Sequence, residues 1–178
     1  METLYSESIN KIRQNKNTIE KALNVKISIS GKTVNVDGDS LDEYVASQVL
    51  EALDLGFTTD EALLLAEEDF ILEKINIKDL TKRHDLPRIR ARIIGTKGGT
   101  KRIIENLSDC AICLKDNCVG IIGTADDIKK TIKAITSIIQ GSKQSKVYSY
   151  LERERAKDKI KLSEDLGLKQ IKSKKHKE

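Results

Sequence analysis

The chain has 178 residues, an apolar content of 38 % and only 3 % aromatic residues, so its core must be built from Ile, Leu and Val in one large domain or two small ones. Residues 1–85 hold 10 Lys and Arg against 17 Asp and Glu, and residues 86–178 hold 22 against 11, so halves of −7 and +11 lie inside an overall charge of +4. A basic half is a footprint for nucleic acid, and no apolar run reaches the length of a membrane span or forms a leader, so a cytoplasmic protein with no membrane partner is expected.

Apolar residues are scattered from Leu4 to Ile9, and a helix is predicted over Asn15 to Leu23, with Ile19, Ala22 and Leu23 on one face. Val25, Ile27 and Ile29 alternate with Lys26 and Ser28 as a half-buried strand does, and Gly31-Lys32 turns the chain into a second strand, Thr33 to Val36. After the Asp37-Gly38-Asp39-Ser40 turn, Leu41, Val45, Val49 and Leu53 recur at helical spacing until Gly56.

The same order returns 85 residues later without a gap. Setting Ile9 on Ile94 also pairs Lys16 with Lys101, Ile19 with Ile104, Glu20 with Glu105, Ile27 with Ile112, Val34 with Val119, Gly38 with Gly123, Asp42 with Asp127 and Gly56 with Gly141. Most of these identities fall on core-facing or turn positions, as a structural repeat demands. The second copy then has strands Ala111 to Leu114 and Cys118 to Ile122 and a long helix carrying Ile128, Ile132, Ile135 and Ile139.

Between the copies, Thr59 to Leu80 is too apolar for a loose linker, and a helix docking one unit on the other is expected there. Pro87 marks the opening of the second unit. Val147, Tyr148, Tyr150 and Leu151 form a helical packing face, and beyond Glu152 the chain is a charged, basic tail. The division is therefore 1–58, a helical segment 59–86, 87–152 and a tail 153–178.

The second unit opens on Gly95-Thr96-Lys97-Gly98, which its counterpart lacks. Paired glycines let the main chain approach a ligand closely, and a helix starting near Thr100 would aim its N–H groups and positive dipole end at an anion. A mononucleotide loop is excluded because no Gly-Lys-Ser/Thr follows at the required spacing, and a dinucleotide site because the glycine spacing is wrong. Cys110, Cys113 and Cys118 lack a fourth ligand for a metal and are read as strand positions. An odd number of cysteines also points to free thiols in a reducing compartment. His84 and His176 are far from each other and from any paired acid; with no nucleophile–base arrangement, neither catalysis nor a cofactor is expected.

Strand, Gly-x-x-Gly, helix, hairpin and long helix is the layout of a type I KH module, in which the loop clamps about four nucleotides of a single strand. Arg92-Ile93-Ile94-Gly95, Gly98, Thr100-Lys101 and Ile104-Glu105-Asn106, followed by Gly141-Ser142 and Lys146-Val147-Tyr148, make the chain resemble the archaeal two-KH relatives of the small-subunit rRNA-processing factor known in eukaryotes as partner of Nob. The resemblance implies an α+β fold of two tandem type I KH domains (β-α-α-β-β-α), each a three-stranded antiparallel sheet packed on helices. It implies a ribosome assembly factor that binds single-stranded rRNA near the 3′ end of small-subunit rRNA, alongside the endonuclease that trims that end within the pre-ribosomal particle.

Carried onto this chain, Gly95, Thr96, Lys97 and Gly98 are expected to hold the sugar-phosphate backbone, with Gly99 permitting close approach. Arg92, Lys101 and Arg102 are expected to add charge, and Ile94, Ile103, Ile112 and Leu114 to support the bases. Asn10 and Arg13 stand where the loop glycines would be in the first unit, so no cradle exists there, and only Arg13 and Lys16 are marginal candidates for RNA contact. That unit is expected to be a scaffold or a protein-binding surface. The competing reading is an interaction adaptor that works mainly through this acidic unit.

Overall fold

A computed structural model describes residues 2–82 and 85–165. The two histidines and the lysine-rich end of the tail lie outside the described residues.

The first unit is built from β1 (Glu2–Tyr5), α1 (Ile9–Leu23), β2 (Lys26–Ser30), β3 (Thr33–Asp37) and α2 (Ser40–Leu55). Its strands form an antiparallel sheet in the order β1-β3-β2. The strand alternation places Ile27, Val34 and Val36 in a core shared with Ile12, Ile19 and Leu23 of α1 and Val49, Leu50 and Leu53 of α2. Leu41, which shares the helical period of Val45, is instead exposed at the start of α2.

After α3 (Thr59–Leu63) and a short 3-10 turn, the second unit follows as β4 (Phe70–Asn76), α4 (Ile77–Leu80), α5 (Leu86–Ile94), α6 (Gly99–Ser108), β5 (Ala111–Lys115), β6 (Cys118–Thr124) and α7 (Ala125–Ile139). A long helix, α8 (Gln144–Asp165), follows it. The sheet order is β4-β6-β5, again with the last strand in the middle.

Two expectations are corrected. The segment Thr59–Leu80 is not one docking helix: α3 packs Ala62 into the core of the first unit, and Phe70–Asn76 is a strand pairing with β6 from Phe70↔Thr124 to Asn76↔Cys118. Without it one side of the central strand would lose its ladder partners. The first unit also has one helix, not two, between its first strand and its hairpin. Leu4 faces Val34 as Ile75 faces Val119, an offset of 71 against 85 for the later elements. The second unit therefore carries 14 extra residues there, ahead of Ile94, which accommodate α4 and most of α5, whereas the glycine loop lies opposite the first turn of α1, which runs unbroken from Ile9.

The repeat is visible at atomic detail. Glu20 Oε1 accepts the Ile27 N–H at 2.7 Å, and Glu105 Oε1 accepts the Ile112 N–H at 2.9 Å. Lys16 and Lys101 pair with those same carboxylates at 3.6 and 2.9 Å. Asn24 and Asp109 end the corresponding helices in the left-handed region, with φ of 53° and 54°.

The two units share an interface because β6 is covered on both faces. Val119 and Ile121 join the core of the second unit, while Ile122 joins that of the first. Gly120 makes the approach possible: a Cβ there would lie 2.8 Å from Phe57 Cε2, and Phe57 is buried. Burying such a ring contributes about 2–3 kcal/mol. Cys113 Sγ donates to the Leu55 carbonyl at 3.1 Å, and Lys115 pairs with Glu7 at 2.9 Å and donates to the Asp54 carbonyl at 3.0 Å. A further ion pair joins Lys74 to Glu51.

Candidate nucleic-acid interface

The glycine loop joins α5 to α6. Pro87 stands in the first turn of α5, where its missing N–H costs nothing, and Gly95 ends that helix by donating to the Ala91 carbonyl at 2.8 Å. Gly95 has φ 74° and ψ 175°, a conformation open essentially to glycine alone. A Cβ here would fall 2.6 Å from the Thr100 nitrogen and closer still to Thr100 Oγ1. Lys97 and Gly98 follow in the left-handed region with φ of 51° and 76°, and the Gly98 N–H closes the turn on the Gly95 carbonyl at 3.2 Å.

Gly99 is different. Its φ of −62° is ordinary helix, and a Cβ on it would meet no protein atom within 4 Å. It faces open space at the start of α6, whose N-terminus has no side-chain cap. The first N–H groups of such a helix, with its dipole, are an anion site next to the loop.

Thr96, Lys97 and Arg102 are exposed. Ile94 and Ile103, 39 % and 40 % exposed, are apolar side chains on the two helices that the loop connects. This brings together loop backbone, positive charge and apolar surface, the three components a single strand of RNA requires.

Other expected residues have different duties. Ile112 is only 2 % exposed and belongs to the core, so it cannot support a base; on β5 it points to the side of Val119 and Ile121. Leu114 is half-buried against the same core. Lys101 is turned onto Glu105, Arg102 donates back to the Lys97 carbonyl at 2.7 Å, and Arg92 donates to the Ser142 carbonyl at 2.6 Å. In the first unit Lys11 binds the equivalent Phe57 carbonyl, so Arg92 meets a structural need common to both copies.

Three further residues shape this site. Thr100 is buried, and its Oγ1 accepts from Gln144 Nε2 at 2.8 Å and from the Tyr148 hydroxyl at 3.2 Å. Gln144 Nε2 also donates to the Arg92 carbonyl at 3.0 Å. Tyr148 was visible in the sequence as a packing position, whereas a lone Gln and Thr send no periodic signal.

A cavity of about 470 Å³ lies away from the loop, between the far end of α6, the start of α7 and α8. Lys130 lines it, paired with Asp158 at 2.6 Å and Asp127 at 3.0 Å; burial works against its charge, but these two carboxylates hold its pKa above the ordinary value. The three thiols are all pushed up by burial, which keeps them neutral. Among the described residues no helix is long and apolar enough to cross a membrane.

The chain is similar to known KH-domain proteins. A family model for the second KH domain of PNO1, described as a eukaryotic-type KH domain (KH-domain type I), matches residues 71–156. A KH domain-containing protein of Methanocaldococcus jannaschii is 33 % identical over 81 % of this chain and 66 % of its own length. The pre-rRNA-processing protein PNO1 of Candida albicans is 35 % identical over 72 % of this chain and 50 % of its own. The chain thus spans 39 % to 66 % of the length of such curated relatives. Among solved structures, Dim2p from Pyrococcus horikoshii is similar with a TM-score of 0.78 and 33 % identity, covering 85 % of this chain and 98 % of that one. A complex of the same organism's aDim2p with a/eIF2α and rRNA contains a chain with a TM-score of 0.78 and 32 % identity, covering 88 % and 94 %.

Proposed function

Because the chain belongs to the PNO1/Dim2 family of KH-domain proteins, we propose that it is an RNA-binding ribosome assembly factor that grips single-stranded small-subunit rRNA near its 3′ end through Gly95–Gly98. The observation that carries this is the loop backbone: a glycine-only conformation at Gly95, two left-handed residues after it, and an uncapped α6 facing the same space. Thr96, Lys97 and Gly98 take the sugar-phosphate backbone, Gly99 admits it closely, and Ile94 and Ile103 receive bases. Arg92, Lys101 and Arg102 contribute charge mainly while holding the scaffold. The protein is read as a binder and not an enzyme, and its thiols suit work in the reducing cytoplasm.

The first unit is read as a degenerate KH domain. Its strand order, the Glu20–Ile27 hydrogen bond and the left-handed Asn24 are those of the second unit, and Asn10 and Arg13 of its unbroken α1 stand where the cradle has its glycines. The competing adaptor reading draws on Leu41 and Tyr44, which are exposed on α2 of this acidic unit. The 3′-end processing endonuclease and the pre-ribosomal particle are the partners proposed for the whole chain.

Replacing Thr96 and Lys97 together by Asp in the full chain tests both readings. Loss of affinity for a single-stranded oligonucleotide of the rRNA 3′ end, with an unchanged circular dichroism spectrum, supports the grip; unchanged affinity refutes it. If the variant loses RNA yet still associates normally with pre-ribosomal particles, the adaptor reading accounts for that association.

A further inference from the structure

We propose that α8, which lies outside the six-element KH unit, is part of the RNA-gripping apparatus, with Gln144 and Tyr148 acting as positioning residues for the glycine loop. The inference rests on the RNA-binding reading of Gly95–Gly98. Gln144 spends its carboxamide nitrogen on both sides of that loop: on the Arg92 carbonyl in the last turn of α5 and on Thr100 Oγ1 in the first turn of α6. That nitrogen carries two hydrogens, so one side chain ties together the two helix ends the loop must join. The Arg92 guanidinium returns the link by donating to the Ser142 carbonyl.

Thr100 transmits the constraint. Its hydroxyl occupies the space that a side chain at position 95 would need, so its position sets the room available to the loop backbone. With Tyr148 also donating to it, both acceptor positions of the hydroxyl are used and the side chain is locked in a buried site. Farther along α8, Arg155 donates to the Asn106 carbonyl at 2.6 Å and pairs with Asp109 at 3.5 Å. One helix therefore splints α6 at both ends and holds its open N-terminus fixed against α5.

The first unit serves as an internal control. At the 85-residue offset, Gln144, Tyr148 and Thr100 correspond to Thr59, Leu63 and Asn15. Asn15 donates within its own helix, to the Lys11 carbonyl, and no such bridge exists among the described residues of that unit. The brace accompanies the cradle and is absent where the cradle is absent. Its benefit is preorganisation, since a loop already held in its bound shape gives up less entropy on binding.

The test uses the full chain with Gln144→Met, which keeps length and volume but loses both donors, and Tyr148→Phe, which loses only the hydroxyl. The probe is a labelled single-stranded RNA oligonucleotide of the rRNA 3′ end. Gln144→Met is expected to weaken binding about tenfold, as two lost hydrogen bonds imply, and Tyr148→Phe by about threefold. Hydrogen exchange at Thr96, Lys97 and Gly98 in the free protein should accelerate in both, while the dependence of affinity on salt stays unchanged. Native affinity in both variants, or weakened affinity with unaltered loop exchange, overturns the proposal. If Gln144→Met does not fold, Tyr148→Phe decides alone. The double Asp change at Thr96 and Lys97 separates the levels: native affinity in that variant refutes the RNA site itself, whereas its loss alongside native binding by Gln144→Met refutes only the brace.

Discussion

Three single replacements by alanine around the loop, at Gly95, Gly98 and Gly99, should have effects of different size and sign, because the three glycines occupy different environments. At Gly95 the new Cβ meets the backbone nitrogen of Thr100 at 2.6 Å, and φ of 74° with ψ of 175° is a conformation closed to alanine. Backbone strain of about 1–3 kcal/mol adds to an overpacking penalty of similar size, so a loss of roughly 3 kcal/mol or more is expected. At Gly98 the nearest atoms are the Arg102 guanidinium nitrogens at 3.7 and 3.8 Å, so only the left-handed backbone is penalised, by about 1–2 kcal/mol. At Gly99 helical φ and open space predict no loss and a gain of up to about 1 kcal/mol from helix propensity. With a urea slope of about 2 kcal/mol/M, the midpoint should fall by roughly 1.5 M for Gly95→Ala, fall by roughly 0.5–1 M for Gly98→Ala, and hold or rise slightly for Gly99→Ala. RNA affinity adds an independent axis: Gly99→Ala should bind RNA less well although it folds at least as well, because its methyl group occupies the space reserved for the strand. Equal midpoints for Gly95→Ala and Gly98→Ala, or a destabilised Gly99→Ala, would refute the reasoning.

Glu105→Ala should cost about 1–3 kcal/mol in urea unfolding by leaving the Ile112 N–H without its acceptor, while Glu105→Gln, which keeps an oxygen, should cost less than half of that; equal costs would remove the hydrogen bond from the account. Burial holds the Cys110 thiol neutral and its pKa above the ordinary value of 9.0. Its contribution to stability is complete below that value and is lost as pH rises through the folded-state pKa, because the unfolded chain releases the proton first. Cys110→Val, copying Val25 of the first unit, should therefore lessen the fall in unfolding midpoint above about pH 9. An unchanged pH profile would show that this thiol does not contribute.

The repeat, both hairpins, both long helices and the loop were legible in the sequence because each rests on local rules: alternation, helical period, and glycines where the backbone must turn. The strand Phe70–Asn76 was not, since adjacent Phe70, Ile71 and Leu72 fit no single period and their conformation depends on β6 having an open side. The duties of the isoleucines were equally hidden. Ile94, Ile103 and Ile112 are identical in kind, but two stand on helix surfaces beside the loop and the third lies beneath the sheet.

By itself the sequence determined that one pattern of hairpin and helices occurs twice and that only the second copy carries a Gly-x-x-Gly loop in a basic half, because glycine spacing and charge segregation are properties of the chain alone. The tertiary structure decided which cations remain available there and what holds the loop in shape. Lys97 and Arg102 stay exposed while Lys101 turns to Glu105 and Arg92 to Ser142, and Gln144 arrives from another helix to bridge Arg92 and Thr100. Those partners are up to 52 residues apart in the chain, and hydrogen bonds over such separations are set by packing, which no local pattern encodes.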